Sequence, residues 1–364
     1  MKLNGPTAGL GRYATSWVDR PSCFRYCADC GTAFFCEATS SVPTTSPSGW
    51  SCLRTSKASC VVPWPGALEV QRCSSSVVFP TRRPALDEGI AIDDAVAAWE
   101  NPAHLLLYTE RAGVVCRLYS AWALWFLGFP DRALETMEAA LALSQRLSHA
   151  QSLAFALSWT AVLRNWRREF AAARARAGAT IDLASEHRLP LYLADATMCE
   201  GFALVGLGQE VEGLAHLQAG LAAWNSLGAH VLYTQWLGFL AEAHLQAGQL
   251  DEALAALDRA AETAAATGEC HYQAELYRLK GLALAATGEE GEAAAWFQRA
   301  IDTARSQQAK SLELRAATSL ARLWRDQGRR VEAHDLLAPI YGWFTEGFQT
   351  ADLKDAKALL DELG

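Results

Sequence analysis

AGQLDEAL at residues 247–254, TGEEGEAA at 287–294 and QGRRVEAH at 327–334 are one joint written three times, forty residues apart. Each has a glycine, then two or three polar residues, then an acidic residue and an alanine: Glu252 and Ala253, Glu292 and Ala293, Glu332 and Ala333. Glycine just past a helix end adopts the left-handed conformation that closes the helix. An acid in the following first turn sits at the positive end of the next helix dipole. The joint therefore reads as helix, stop, helix. It recurs upstream in LGFPDRAL (127–134) and GLGQEVEGL (206–214), so the anchors are Gly128, Gly208, Gly248, Gly288 and Gly328. The interval from 128 to 208 is doubled, and the missing member falls at Arg168 in NWRREFAAA (165–173), where the glycine is absent.

Small residues keep two fixed distances from these anchors. Seven before them lie Ala121, Ala161, Gly201, Ala241, Gly281 and Ala321; five after them lie Ala133, Ala173, Gly213, Ala253, Ala293 and Ala333. Antiparallel helices approach closely only where the side chains at the crossing are minimal. Four residues further on, and so on the same helix face, comes a bulkier group: Met137, Leu217, Leu257, Phe297 and Leu337, with Ala177 as the exception. A helix pair of this kind cannot bury its apolar face alone and must stack on its neighbours.

This pattern resembles the tetratricopeptide repeat, although the period is 40 rather than the usual 34, which implies longer helices. It predicts an all-α, right-handed superhelix of six helix pairs, near 114–147, 151–187, 191–227, 231–267, 271–307 and 311–346. The array occupies 86–349, and a capping helix follows within 350–364. Stretches such as AELYRLKG (274–281), QQAKSLELRAATSLARLW (307–324) and LLAPIYGWFTEGFQTADLKDAKALLDEL (336–363) are similar to the C-terminal region of large bacterial signalling proteins. In those, a class III adenylate/guanylate cyclase domain precedes an AAA/STAND-type ATPase and a tetratricopeptide array; the organisation is also similar to the sensor half of maltose-regulator-like ATPases. VVCRLYSAWALWFLGFPDRAL (114–134) and SLAFALSW (152–159) fit the same region. The resemblance implies a regulatory or sensing role in signal transduction. The enzymatic parts are not carried over: no G-x-x-x-x-G-K-[ST] loop occurs, and no strand-rich cyclase-sized segment is present.

The chain is 51% hydrophobic and 20% charged, enough for a buried core. Lys/Arg and Asp/Glu number 32 and 40 overall, 9 and 4 within 1–85, and hence 23 and 36 within 86–364. The acidic array repels phosphate backbones and anionic membranes on average, so neither nucleic acid nor membrane is expected as a partner. No apolar run reaches the ~18 residues of a membrane span, and no signal-peptide h-region is seen. With cysteines scattered singly through the array, a reducing cytoplasm is the expected location.

Eight of the twelve prolines and seven of the ten cysteines lie in 1–85, a Ser-, Pro- and Cys-rich segment read as disordered or irregular. Within it CFRYCADCGTAFFC (23–36) offers Cys23, Cys27, Cys30 and Cys36 as a weak metal candidate, because Cys-x-x-Cys-Gly presents two thiolates to zinc. A zinc module fused to the array is thus one alternative; unstructured thiols are the other. RRPALDEGIAI (82–92) reads as the end of a second helix lacking its first, so 1–85 is also readable as truncated or out-of-frame sequence.

No catalytic or cofactor-binding residue is assigned. The eight histidines are dispersed without H-E-x-x-H, and Cys199 beside Glu200 has no histidine to activate it. Trp122, Trp125, Trp159, Trp166, Trp224, Trp236, Trp296, Trp324 and Trp343 are either core or the lining of a groove. Arg164, Arg167, Arg168, Arg174 and Arg176 form the densest basic patch, read as solvated unless an acidic partner meets it. The expected function is a non-catalytic scaffold whose inner helices line a concave groove for a protein, peptide or small effector. Self-association through an exposed array end is a further expectation. The enzyme-class alternative is an inert remnant of a cyclase–ATPase protein.

Overall fold

The computed structural model describes residues 22–27, 32–37, 86–87, 89–91 and 111–364, apart from 230. Two units are present, a hairpin in the N-terminal segment and a helical array.

The array pairs α1 (Ala112–Phe126) with α2 (Pro130–Leu147), α3 (Ala150–Trp166) with α4 (Phe170–His187), and α5 (Pro190–Gly206) with α6 (Glu210–Ser226). The next pairs are α7 (Tyr233–Gln246) with α8 (Leu250–Thr267), α9 (Gln273–Ala286) with α10 (Glu290–Ser306), and α11 (Lys310–Asp326) with α12 (Arg330–Tyr341). A last helix, α13 (Ala351–Leu363), packs on the final pair. The result is an all-α solenoid.

All twelve small residues at the crossings are buried. Their size is required most strictly in the third pair. A Cβ on Gly201 would lie 2.7 Å from both the Gly213 carbonyl oxygen and the Leu217 nitrogen, and one on Gly213 would lie 2.5 Å from the Gly201 oxygen. Backbone meets backbone there, with no room for a methyl group. The knobs Met137, Leu217, Leu257, Phe297 and Leu337 are buried beside these crossings.

Every predicted joint holds a left-handed residue: φ is 90° at Gly128, 81° at Gly208, 71° at Gly248, 86° at Gly288 and 79° at Gly328. Arg168 takes the same conformation, at φ 62°. A second series closes the other helix of each pair, at Ser148, Arg188, Gly228, Gly268 and Gln308, again forty residues apart. Only two of these five are glycine, which hid the series from a glycine-based reading. The final pair departs from the pattern: α12 stops at Tyr341 after 12 residues, with Pro339 in its last turn. Proline supplies no amide donor to continue the ladder.

In the N-terminal unit, β1 (Ser22–Cys27) and β2 (Thr32–Glu37) form an antiparallel hairpin in a stretch read from sequence as irregular. Aromatic residues Phe24, Tyr26, Phe34 and Phe35 favour strands and override the Cys- and Ser-rich composition around them. Cys23 pairs in register with Cys36, whereas Cys27 pairs with Thr32. Four strand positions, roughly 13 Å, separate Cys27 from Cys23 along the backbone. Cys30 lies outside the described residues, as do most of 1–85, including the proposed truncation point.

Candidate functional site

The first helices of the pairs face inward, and their inner faces meet. Trp166 of α3 stacks on Trp125 of α1 at 4.8 Å between ring centroids and on Tyr272, just before α9, at 6.5 Å. Phe126 stands edge-on to His271 at 6.2 Å. Trp122 and Trp159 stack at 3.8 Å. Residues from the first, second and fifth pairs are thus in ring contact, and among the described residues these rings fill the space between those pairs where an open concave groove was expected from sequence. The expectation failed because six pairs bend far enough for the last to reach the first. Ser311 of α11 donates to the Trp125 carbonyl at 2.6 Å. Glu346, past α12, accepts from the Asp131 and Arg132 amides at the start of α2, both at 3.0 Å. The Gly347 amide donates to Asp131 at 2.8 Å.

Charge is sealed in with the rings. Glu275 is wholly buried and accepts two bonds from Arg278, at 2.8 and 2.9 Å. Arg315 lies 3.4 Å from the same carboxylate, donates to Asp352 of α13 at 2.8 Å and to the Trp166 carbonyl, and sits 5.1 Å over the Trp125 ring. Arg168 pairs with Glu242 of α7 at 2.7 Å and approaches Glu275 at 3.9 Å. Burial pushes the Glu275 carboxyl up, but Arg278, Arg315 and Arg168 outweigh it and hold it well below the usual carboxylate range. This explains the joint without glycine: the left-handed backbone is strained for arginine, and its side chain joins the second pair to the fourth and fifth.

The basic patch read as solvated is therefore largely engaged. Arg164 pairs with Glu138 at 2.8 Å and with Glu169; Arg167 is 6% exposed and binds Glu169 and the Pro130 carbonyl; Arg176 reaches Glu138 at 3.2 Å. Glu169 lies in the same joint, two residues from Arg167, whereas Glu138 lies on α2, a partner that spacing along the chain does not reveal. Trp122, Trp125, Trp159, Trp166, Trp224 and Trp236 are core; Trp296 and Trp324 are half-buried, and Trp343 is exposed. Cys199 is buried, and burial followed by the nearby Asp195 carboxyl pushes its thiol well up, so thiolate is scarce. Asp195, bonded by the Ser158 hydroxyl at 2.5 Å, is itself pushed up to about 7 by burial. His271 is buried with neither ring nitrogen hydrogen-bonded among the described residues, and burial lowers it to about 4. Among the described residues no group of three or more His, Cys, Asp or Glu is placed to hold a metal ion. No helix among them is long and apolar enough to cross a membrane.

A cleft of about 540 Å³ opens on the outer side, between α8 and α10 and over the start of α9. One wall is aliphatic, from Leu257, Ala261, Ala265 and Leu276; the other is Tyr277 and Trp296, 5.3 Å apart. Arg299 lies over both rings, at 4.6 and 5.1 Å, and Lys280 lies 5.4 Å from Trp296. Lys280 pairs with the exposed Asp258 at 2.9 Å. Gln307 lines the cleft and is 7% exposed; its amide nitrogen donates to the Cys270 carbonyl at 2.8 Å, while its oxygen has no hydrogen-bond partner among the described residues. Trp296 was foreseeable as a candidate; Lys280 on α9, Arg299 on α10 and Gln307 at the end of α10 carried no signal in the sequence.

Comparison with known proteins agrees with this architecture. Residues 233–306 match the tetratricopeptide repeat family. An uncharacterized protein of Rhizobium meliloti (strain 1021) is 27% identical over 263 residues, 70% of this chain but only 25% of that protein. The chain thus spans about a quarter of that relative's length. Among solved structures, a Rap protein complexed with Competence and Sporulation Factor aligns with TM-score 0.54 and 14% identity, over 79% of this chain and 72% of that one. The apo form of RapI aligns with TM-score 0.52 and 13% identity, over 82% and 97%. Residues 233–306, from α7 to α10, are a tetratricopeptide-repeat region, and the whole array is a solenoid of the same kind.

Proposed function

We propose that this chain is a non-catalytic scaffold that binds a protein or peptide partner, as the regulatory or sensing part of a signalling ATPase or cyclase system. The observation that carries the reading is the array itself. Six helix pairs stacked through minimal crossings present a long, rigid surface, the property that repeat proteins use for recognition. A Rap protein of similar fold is found with a bound factor, and the sequence relative is far longer than this chain, as expected if arrays of this type serve a larger regulatory protein. The signalling context rests on the resemblance of 274–281, 307–324 and 336–363 to the cyclase–ATPase family.

Calorimetric titration of the full chain with ATP and with GTP tests the non-catalytic part. No saturable heat is expected; micromolar binding of either nucleotide overturns it. Crosslinking of the full chain in cells, followed by identification of the joined peptides, tests the scaffold part. Crosslinks from a recurrent partner should concentrate on α7 to α10, and an array without recurrent crosslinks overturns it.

A further inference from the structure

We infer that the outer cleft between α8 and α10 is the docking site of the chain's own segment 60–85, fixed there by a disulfide from Cys270 to Cys60 or Cys73. This occupant is independent of the scaffold reading above.

Cys270 lines the cleft and is disulfide-bonded. The other cysteines of 86–364, Cys116 and Cys199, keep their thiols, so the second sulfur comes from the seven cysteines of the N-terminal segment. Of those seven, Cys60 and Cys73 belong to the unit that begins at Cys60 and holds the array. The chain joins the array close by. Leu86 is buried in the same apolar core as α1, and a Cβ on Gly89 would lie 2.7 Å from the Cys116 sulfur. From Cys116 to Phe126 is about 15 Å along α1, and the Phe126 ring lies 6.2 Å from that of His271, next in sequence to Cys270. Cys73 precedes Leu86 by thirteen residues, a span of up to about 45 Å when extended, so both cysteines are within reach.

The chemistry of the segment matches the cleft. Val61, Val62 and Val70 suit the aliphatic wall at Leu257 and Leu276. Arg72, Arg82 and Arg83 outnumber Glu69, on an array that is acidic and at a cleft that carries Asp258 and Glu269. Asp258 is exposed, and its pairing with Lys280 is of little strength, so it is open to a second cation. The bond forms when the two thiols give two electrons and two protons to glutathione disulfide, which leaves as two molecules of glutathione. In a reducing compartment such a bond is transient or regulatory.

The test is a tryptic peptide map of the full chain, alkylated without reduction. Peptide 260–278, which carries Cys270, should be joined to 58–72 or to 73–82. A bond to any other peptide, a bond between two copies (a dimer on a non-reducing gel) or an alkylated Cys270 overturns the inference. Docking is separated from linkage alone by reducing the chain and re-equilibrating it in glutathione buffers. Ala265→Trp, at an exposed position on the cleft wall, fills the cleft and should lower the equilibrium constant for linkage at least tenfold. Val331→Glu, on α12, should leave it unchanged, and unchanged circular dichroism verifies the fold of both variants. An undiminished constant in Ala265→Trp places the segment elsewhere and overturns the docking. Each of these failures leaves the scaffold reading standing, because crosslinking in cells decides that reading separately.

Discussion

Arg315 in the interior and Arg299 on the exposed face of α10 both lie over aromatic rings, at 5.1 Å from Trp125 and 4.6 Å from Tyr277. They differ in everything else around them. Arg315 is 6% exposed and is met by Glu275, Asp352 and the Trp166 carbonyl, so that four parts of the array converge on one guanidinium. Arg299 is exposed and has its rings alone among the described residues. A buried cation has to be fully coordinated or it destabilises the fold; an exposed one loses little by waiting. The same pair of residue types therefore closes the solenoid in one place and remains available in the other.

The contrast predicts its own largest effect. Arg315→Met should cost about 3–5 kcal/mol, because Glu275 and Asp352 lose a buried partner, whereas Arg299→Met should stay within about 0.5 kcal/mol. Urea denaturation of both variants measures the gap, and comparable losses would mean that the interior is not closed through Arg315.

Next comes a dependence on pH that belongs to the interior alone. The Asp195 carboxyl is raised from 3.8 to about 7 by burial, so the folded state holds its proton more tightly than the unfolded chain. Its contribution is complete below about pH 4, declines as pH rises, and is gone above about 7, on the order of a few kcal/mol in all. His271, lowered to about 4, acts in the opposite sense: its contribution is present above pH 6.5 and is lost as pH falls towards 4. Asp195→Asn should remove the first slope and His271→Phe the second. Differences in denaturation midpoint between each variant and the unaltered chain, taken from pH 4 to 8, isolate the two.

Glycine substitutions make a smaller test of the same division between filled and open regions. Gly201→Ala drives a methyl group into backbone and should cost roughly 1–3 kcal/mol. A methyl group on Gly178, in the middle of α4, would meet nothing within 4 Å among the described residues. Gly178→Ala should stabilise by about 0.5–1 kcal/mol through helix propensity, and thermal melting separates the two signs.

Much of the architecture was legible because repetition is a local signal copied at a fixed interval. The glycines at 128, 208, 248, 288 and 328 and the small residues around them could be read without knowing any contact. Arg168 was legible as a position but not as a participant: its place in the series marked a turn, and nothing nearby in the chain pointed to Glu242. Glu275 and Arg315 were visible only as charges in apolar helices. The outer cleft was least legible, because Gln307, Lys280 and Trp296 share a surface only once α9 and α10 are docked.

By itself the sequence determined the unit: its length, its two helices, its joints and the narrow crossing that forces pairs to stack. These are consequences of backbone conformation and side-chain volume, which act over a few residues. The tertiary structure decided whether the stack would stay open. Its curvature brings Ser311 to Trp125 and Glu346 to the start of α2, across separations of 186 and more residues. That closure filled the expected groove and left the cleft between α8 and α10 on the outside. The reason is geometric: a small rotation at each joint is invisible within one repeat, and six of them added together bring the two ends of the array into contact.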